Sequence, residues 1–412
     1  MINRDWKSKF ITMAVGQMAS LIGSSAVQFA LIWWIATETD SALMMGLASL
    51  VGFLPMTLLS PAAGVAADRY DRKKICIFAD LSIGMVSAVF ALLMLRYQMP
   101  VWTAVLILFL RSVGGTFHQP ASQALLPQIV PAEELMRVGG WNQLMASGSF
   151  LLGPALGAAM YAAFPMPVLL LTDLLGAVAA GGMLALVEVP AYEAHGNKAY
   201  RLLHELREGL KVFQDDRALL TILATSVLCM VFYMPLSSFY PLMTSGYFKA
   251  SAWHGSAVEI AYAMGMMVSA MLFGGFIKVK SQIRTAFLGL FGIGITCLIC
   301  GVLPPTMWAW CVFAITCGAM GACSNVFSIP MVAYMQTTIP PEKMGRAFSL
   351  MTLTGSLAMP VGLALSAPVA ERTGVHRWFV ISGVGIAVIA AVGFCVWKAA
   401  AGKNKQYGRG PQ

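Results

Sequence analysis

The fold is decided by one charged stretch, Gly64-Val-Ala-Ala-Asp68-Arg69-Tyr-Asp71-Arg72-Lys73-Lys74, which interrupts an otherwise apolar sequence. On either side lie apolar runs, Met44–Ala63 and Ile75–Leu95, that are long enough to cross a bilayer. A connection this short between two spans cannot be a folded domain, so we expect it to lie at the membrane surface. Its four cations place it on the cytoplasmic side, because short cytoplasmic loops are rich in Lys and Arg.

The composition excludes a soluble globular protein. Of the 412 residues, 58% are hydrophobic and only 11% are charged, whereas about a quarter of the residues of a soluble domain are charged. The net charge of +9 could indicate nucleic acid, but the cations form neither a helix face nor a patch interleaved with aromatic residues. We therefore predict a lipid bilayer as the surroundings and no nucleic-acid partner. The eight cysteines lie in or beside apolar runs, which is typical of packing residues rather than of a disulfide framework.

Apolar runs of the roughly 20 residues that a span needs occur twelve times along the chain. They lie at 10–36, 43–63, 75–95, 101–120, 141–164, 168–188, 218–243, 256–277, 284–303, 307–336, 345–370 and 377–397. Of the 27 Lys and Arg residues, only Arg96, Lys249, Arg372 and Arg377 fall in loops that this assignment places outside, and Arg111 lies within a span. The other Lys and Arg residues fall in loops or termini that the assignment places on the cytoplasmic side. The sequence thus predicts an all-α membrane protein of twelve transmembrane helices with both termini cytoplasmic.

The two halves of the chain repeat each other. The segment Val130–Val138 before the fifth span matches Ile339–Ala347 before the eleventh. We predict a six-helix bundle over 1–190, a cytoplasmic linker over 191–217 with an amphipathic helix on the membrane surface, and a second six-helix bundle with a basic cytoplasmic tail over 218–412. Secondary transporters are built from such repeats, and they rock one half against the other around a midplane site.

Three ionisable residues within the spans are the main candidates for function, because a buried charge is costly unless it faces a partner or a polar cavity. Arg111 is deep in the fourth span, while Asp173 and Glu259 lie in the outer parts of the sixth and eighth spans. Burial favours a protonated carboxyl and a neighbouring Arg favours an ionised one, so an acid that alternates between these states binds and releases a proton. We predict Asp173 as the proton-coupling acid, with Glu259 as the second candidate. The alternative for Arg111 is that it only holds helices together.

Two further titratable residues lie inside spans. Asp80 is near the cytoplasmic end of the third span, and we expect it to pair with the cluster Arg69–Lys74. His118, alone in an apolar helix, is expected to be a hydrogen-bonded packing residue. The sequence contains no nucleotide-binding Gly-x4-Gly-Lys-Ser/Thr stretch, metal-ligand cluster or nucleophile triad, so we predict neither an enzyme nor a cofactor or metal site.

The pattern Gly64-x-x-x-Asp68-Arg69-x-x-Arg72-Lys73 resembles the signature loop of the major facilitator superfamily of secondary transporters. The resemblance implies that Asp68 bonds the N-terminus of the eleventh span, near Gly345–Ala347, together with Arg69 or Arg72, and so latches the cytoplasmic gate. Free N–H groups at a helix N-terminus do favour an anion. Asp71 stands where the family usually has Gly, which leaves open which acid forms the latch; position favours Asp68.

Two more motifs resemble those of exporters in this superfamily. In the fifth span, Gly153-Pro154-Ala-Leu-Gly157 resembles the Gly-Pro-x-x-Gly motif, in which Pro bends the helix and the glycines allow a close approach. The alternative is that Gly and Pro are simply common in membrane helices. In the fourth span, Arg111-x-x-Gly114-Gly115 resembles the motif shared by drug and proton antiporters.

Several shorter segments are similar to bacterial macrolide-efflux transporters, which are proton-driven drug exporters of the plasma membrane. They include Phe53-Leu-Pro, Phe109-Leu-Arg-Ser-Val-Gly, Phe117-His-Gln-Pro-Ala, Tyr233-Met-Pro and Met359-Pro-Val-Gly-Leu. The resemblance implies a proton-coupled exporter of bulky hydrophobic drugs in the bacterial plasma membrane. Export of an endogenous metabolite or siderophore, and a non-transporting sensor or an accessory subunit of an ATP-driven partner pump, stay open as alternatives.

Overall fold

The computed structural model describes residues 6–131, 134–189, 210–211, 213–214, 217–275, 279, 281–339 and 341–406. These residues form thirteen α-helices and one π-helical turn. In chain order they are α1 (Trp6–Thr39), α2 (Ala42–Arg69), α3 (Arg72–Arg96), α4 (Trp102–Ile129), α5 (Leu135–Ala163), α6 (Met166–Leu186), α7 (Arg217–Tyr233), α8 (Pro235–Leu242), the π-helical turn (Met243–Tyr247), α9 (Ala252–Gly275), α10 (Gln282–Val302), α11 (Met307–Thr338), α12 (Pro341–Thr373) and α13 (Val375–Gln406).

Within the described residues, ten helical segments are long and apolar enough to cross a membrane. The predicted all-α membrane fold is therefore confirmed, while the count of twelve spans and the side on which the termini lie stay predictions. Helix α4 is not among the ten. It carries Arg111, His118 and several Ser, Thr and Gln side chains that lower its hydropathy, and many of them line a cavity described below.

The helices extend beyond the apolar runs of the sequence. Helix α2 continues to Arg69, six residues past the predicted end of its span, and α12 begins at Pro341 rather than near Gly345. Hydropathy measures only the part of a helix within the hydrocarbon layer, whereas the internal hydrogen bonds of the helix continue into the polar zone. Side-chain caps stabilise some of these ends; Ser41, for example, accepts a hydrogen bond from the N–H of Met44 at 3.2 Å.

The predicted seventh span is not one regular helix. Helix α7 ends at Tyr233, and Pro235 takes the first position of α8, where its missing N–H is tolerated and its fixed φ suits a helix start. The π-helical turn follows directly. The whole segment Leu219–Tyr247 still counts as one candidate span, so the interruption at Met234 and Pro235 does not end the span.

Contacts divide the chain into two units, residues 1–197 with 251–256, and residues 198–250 with 257–412. In the first unit, α1 packs against α5 and α6, α3 packs against α4 and α6, and α2 packs against α4. In the second, α10 packs against α11 and α13, and α7 packs against α12 and α13. The predicted amphipathic linker helix falls mostly outside the described residues. The first unit brings together most of the candidate residues singled out above.

Candidate functional site

A cavity of about 590 Å³ lies among helices α1 to α5 of the first unit. Its wall mixes apolar and polar side chains. The apolar ones include Met13, Phe53, Met56, Leu108 and Met145, and the polar ones include Gln17, Ser24, Gln28, Asp80, Arg111, His118 and Asn142. A volume of this size falls in the range of about 300–1,000 Å³ that is typical of small-molecule sites.

Arg111 of α4 and Asp173 of α6 form a buried ion pair beside this cavity. Their side chains are 6% and 1% exposed, and the Nη1 group of Arg111 contacts Oδ2 of Asp173 directly. Two hydroxyls complete the surroundings of the carboxylate, since Ser24 donates to Oδ1 and Ser87 to Oδ2, each at 2.7 Å. The structure therefore brings together two of the three proton-coupling candidates in one hydrogen-bonded cluster.

Arg111 also bonds to two other helices. Its Nη1 group donates to the hydroxyl of Ser87 on α3 at 3.0 Å, and its Nη2 group donates to the main-chain oxygen of Ser24 on α1 at 3.1 Å. Its Nε group is buried and has no hydrogen-bond partner among the described residues. The pair thus connects α1, α3, α4 and α6, so a change in its charge acts on four helices at once. We call Ser24, Ser87, Arg111 and Asp173 the Arg111 cluster.

Asp80 lies in a second cluster on the wall of the same cavity. It accepts a hydrogen bond from Nε2 of Gln17 at 3.1 Å, and Nε2 of His118 lies 3.5 Å from its Oδ1 atom. The expected pairing of Asp80 with the cations of Arg69–Lys74 is wrong. Asp80 is eight residues inside α3 and faces α1 and α4, whereas the cations stay at the end of the helix. His118, expected to be a hydrogen-bonded packing residue, lies against this acid, and its Nε2 atom has no hydrogen-bond partner among the described residues.

The charged connection between α2 and α3 is ordered by main-chain bonds within the first unit. Asp71 caps the start of α3 by accepting hydrogen bonds from the N–H groups of Lys73 and Lys74 at 3.0 and 3.4 Å. Arg72 donates to the main-chain oxygens of Ala67 and Ala124 at 2.9 and 2.8 Å. Asp71 is thus engaged as a helix cap, which favours Asp68 over Asp71 as the acid available for a latch.

Lys73 holds the end of another helix. Its ammonium donates to the main-chain oxygens of Ala185 and Val187 at 2.8 Å, at the C-terminus of α6. A cation is favourable there because the last carbonyls of a helix are unpaired and carry partial negative charge. Gly64 lies within α2. Arg69 is the last residue of that helix and is exposed. The side chain of Asp68 lies outside the described ones, so the predicted latch to the eleventh span stays a prediction.

The glycines of the Gly153-Pro154-x-x-Gly157 motif lie where α5 crosses α1. A Cβ atom added at Gly157 would lie 2.5 Å from the main-chain oxygen of Ala26, and one added at Gly153 would overlap Ser25. Pro154 lies inside α5 between them. Glycine is therefore required by this close approach, and the turn of α1 that it contacts is the turn that carries Ser24 of the Arg111 cluster.

Glu259 belongs to the second unit. It lies on α9 and is half-buried. Among the residues that the structure describes, its carboxylate has no hydrogen-bond or ion-pair partner. One turn further along α9, the hydroxyl of Tyr262 bonds that of Tyr233 at 2.5 Å. Glu259 thus stays the second candidate, without the cation that accompanies Asp173.

No group of three or more His, Cys, Asp and Glu side chains suited to a metal occurs in the described part of the chain. The described cysteines are free thiols.

Ser24 and Ser87 are the residues of the Arg111 cluster that the sequence did not single out, because serine is common in membrane helices. The signal available in the sequence was spacing along a helix, because Ser24 lies seven residues after Gln17 and Ser87 lies seven residues after Asp80.

Comparison with known proteins shows the family to which the chain belongs. The profile of the Major Facilitator Superfamily matches residues 13–363, and the chain belongs to that superfamily. It is 38% identical over 392 residues to macrolide efflux protein A of Streptococcus pyogenes, covering 94% of this chain and 96% of that protein. It is 22% identical over 385 residues to the multidrug efflux pump Tap of Mycolicibacterium fortuitum, covering 90% and 91%.

Solved structures show the same fold. A bacterial homologue of the iron transporter ferroportin in the inward-facing state gives a TM-score of 0.71 at 15% identity, covering 95% of this chain and 98% of that one. The peptide-transporter-family protein PepTSo gives 0.75 at 10% identity, with the same coverage. The protein is a major facilitator transporter that crosses the bacterial plasma membrane several times, and the predicted resemblance to macrolide-efflux transporters is confirmed.

Proposed function

We propose that the protein exports bulky hydrophobic drugs of the macrolide type in exchange for protons, by alternating access. The observation that carries the proposal is the Arg111–Asp173 ion pair, buried beside a drug-sized cavity. The identity of 38% to a macrolide efflux protein, over nearly the whole of both chains, supports the substrate class. The fold supplies the two units that alternating access requires.

The cavity suits a large, mostly apolar ligand with scattered oxygens. Met13, Met56 and Met145 contribute flexible, polarisable side chains that adapt to different shapes. Gln28 and Asn142 offer amide groups that can bond the hydroxyl and carbonyl oxygens of a drug. The same wall carries Arg111 and Ser24, so a ligand in the cavity lies next to the ion pair.

The ion pair provides the coupling. When Asp173 takes up a proton, Arg111 loses its counter-charge inside the protein. Leaving one charge of a buried pair uncompensated costs about 3–5 kcal/mol, so protonation favours a different packing of the four helices that the pair connects. Drug and proton then favour different states of the cavity, and each reduces the binding of the other. Glu259 is the second candidate for the proton.

Two motifs would control the movement of the helices. Asp68, with Gly64, Arg69 and Arg72, would form the latch of the cytoplasmic gate that the family resemblance implies, while Lys73 holds the end of α6. Gly153, Pro154 and Gly157 would let α5 move closely along α1, and so transmit the movement to the turn that carries Ser24.

Transport into everted membrane vesicles tests this proposal. We expect vesicles that contain the protein to accumulate radiolabelled erythromycin when a proton gradient is imposed, and to lose it when a protonophore is added. Asp173→Asn should bind the drug but accumulate none. Thr172→Val is the matched control, because its hydroxyl donates to the main-chain oxygen of Leu169 in the same helix. Accumulation that survives the protonophore would contradict proton coupling, and its absence in the wild type would contradict drug export.

A further inference from the structure

The Asp80 cluster, formed by Gln17, Asp80 and His118, lines the cavity but is not used in the proton coupling proposed above. Each of its members lies seven residues from a member of the Arg111 cluster on the same helix: Gln17 from Ser24 on α1, Asp80 from Ser87 on α3, and His118 from Arg111 on α4. Seven residues are about two helical turns, or roughly 10 Å. The two clusters are therefore stacked along the same three helices.

The stacking has a direction. Asp80 lies nearer than Ser87 to the start of α3, where the charged connection 69–74 lies. Both clusters border the same cavity, and α4 places the polar side chains of Ser112 and Thr116 on its wall between Arg111 and His118. A polar route thus leads along the cavity from the Arg111 cluster towards the end of the unit that carries the charged loop.

The Asp80 cluster holds a buried carboxyl group next to an imidazole. The Asp80 side chain is 7% exposed and the His118 side chain 16%; with neutral imidazole, the pair has a charge of −1. Burying a carboxylate is costly unless it is paired, whereas one added proton makes the pair neutral. Nε2 of His118 is buried, lies 3.5 Å from the carboxylate and has no hydrogen-bond partner within the described residues; a proton bound between the two groups would supply that hydrogen bond.

The other titratable groups near this pair form no ion pair with Asp80 within the described residues. On α3, the thiol of Cys76 lies one turn away and is buried, and Lys73, two turns away, bonds main-chain oxygens of α6. On α1, Lys9 lies two turns from Gln17 and bonds the main-chain oxygen of Glu188. Helix α2 has no titratable residue before Asp68, and α6 has none other than Asp173. Helix α5 places the uncharged Asn142 on the cavity wall, and the side chain of its Arg137 lies outside the described ones.

We propose that Asp80 and His118 form a second proton-binding site, through which the proton taken up at Asp173 passes to the cytoplasm. This inference rests on the proton coupling proposed above. The proton leaves the carboxyl of Asp173, crosses the polar side of the cavity, binds the Asp80–His118 pair and is released to cytoplasmic water. Only O–H and N–H bonds form and break, and the step requires no other reactant. Gln17 is a positioning residue that holds the Asp80 carboxylate towards His118.

Reconstituted vesicles in which the pH is set independently on the two sides test this site. The variants are Asp80→Asn, His118→Gln and Asp80→Glu, and the probe is radiolabelled erythromycin. Two rates are measured, namely net transport driven by a proton gradient, and exchange of labelled for unlabelled drug at equal pH, which requires no net proton movement. Ser82→Ala is the control on α3, because its hydroxyl donates to the main-chain oxygen of Ala79 and does not line the cavity.

We expect Asp80→Asn and His118→Gln to lower the ratio of net transport to drug exchange about tenfold or more, because a change in drug binding alone lowers both rates and leaves their ratio unchanged. Their net transport should also lose its dependence on cytoplasmic pH but keep its dependence on external pH. Asp80→Glu should recover net transport, since it keeps a titratable carboxyl. Asp80→Asn keeps the shape of the side chain, and its thermal unfolding in detergent shows whether the fold is intact.

Two results would overturn the inference. If both variants keep the wild-type rate and pH dependence, Asp80 and His118 do not carry protons. If net transport and exchange fall together with an unchanged pH dependence, the pair anchors the drug or the helices instead. Either result leaves the proposed function standing, whereas a wild-type protein whose transport ignores the proton gradient would contradict the proposed function itself.

Discussion

The ion pair between Arg111 and Asp173 can be tested by a double-mutant cycle. Arg111→Ala removes the guanidinium that contacts Asp173, Ser87 and the main chain of Ser24. The carboxylate then keeps only the hydroxyls of Ser24 and Ser87. Asp173→Asn instead leaves the guanidinium without a counter-charge. Because each single change leaves one buried charge unpaired, we expect each to lower the free energy of unfolding by about 3–5 kcal/mol.

The double variant Arg111→Ala, Asp173→Asn contains neither charge. It should therefore be more stable than the sum of the single effects predicts, by at least about 1.5 kcal/mol, a coupling within the range of 0.5–3 kcal/mol found for contacting residues. The double variant should not regain transport, since no proton site remains. Arg111→Lys should lie between the wild type and Arg111→Ala in transport, because the charge survives but the forked geometry does not.

The assay is unfolding of the purified protein in mixtures of dodecylmaltoside and SDS, with Thr172→Val as the control beside Asp173. Efflux of erythromycin from cells that express each variant at equal level gives the transport rates. Strictly additive effects on the free energy of unfolding would show that Arg111 and Asp173 do not stabilise each other in the folded protein. Recovery of transport in the double variant would show that the pair stabilises the fold but carries no proton.

Three further changes test other parts of the site. Asp68→Asn should keep expression and drug binding but lose transport, because it weakens the gate latch and leaves the cavity unchanged; normal efflux would contradict the latch. Gly157→Ala should lower stability by about 1–3 kcal/mol and slow transport, since its Cβ would press on the main chain of α1, whereas Gly148→Ala, with no atom within 4 Å, should change little in the same unfolding assay. Glu259→Gln should lose part of the proton-driven efflux if Asp173 carries the coupling, and all of it if the roles are reversed.

The family and the helical membrane fold could be predicted because their signals are local. The charged connection 64–74 and the apolar runs beside it depend only on composition and order along the chain. The helix ends were harder to predict, because hydropathy does not register the capped turns beyond the hydrocarbon layer. The break at Pro235 is local as well, and proline marks it in the sequence.

The contacts within the cavity could be predicted only in part. The cost of burying a charge pointed to Arg111 and Asp173 as functional, and the structure places them side by side. Asp80 was assigned to the wrong partners, because the sequence gives the depth of a residue along a helix but not the neighbour that its side chain faces. Its proximity to His118 depends on how α3 packs against α4, which no local pattern encodes.

Proton flux driven by the drug tests the central claim most directly. Vesicles reconstituted with the protein, without a membrane potential or an initial pH gradient, are given an erythromycin gradient, and the internal pH is followed with a trapped dye. Proton-coupled export through Asp173 predicts a proton flux opposite in direction to the drug flux, which the dye reports as a change in internal pH. This pH change should require the protein, be abolished in Asp173→Asn and be kept in Thr172→Val. Drug movement in the wild-type vesicles without any pH change would contradict the account.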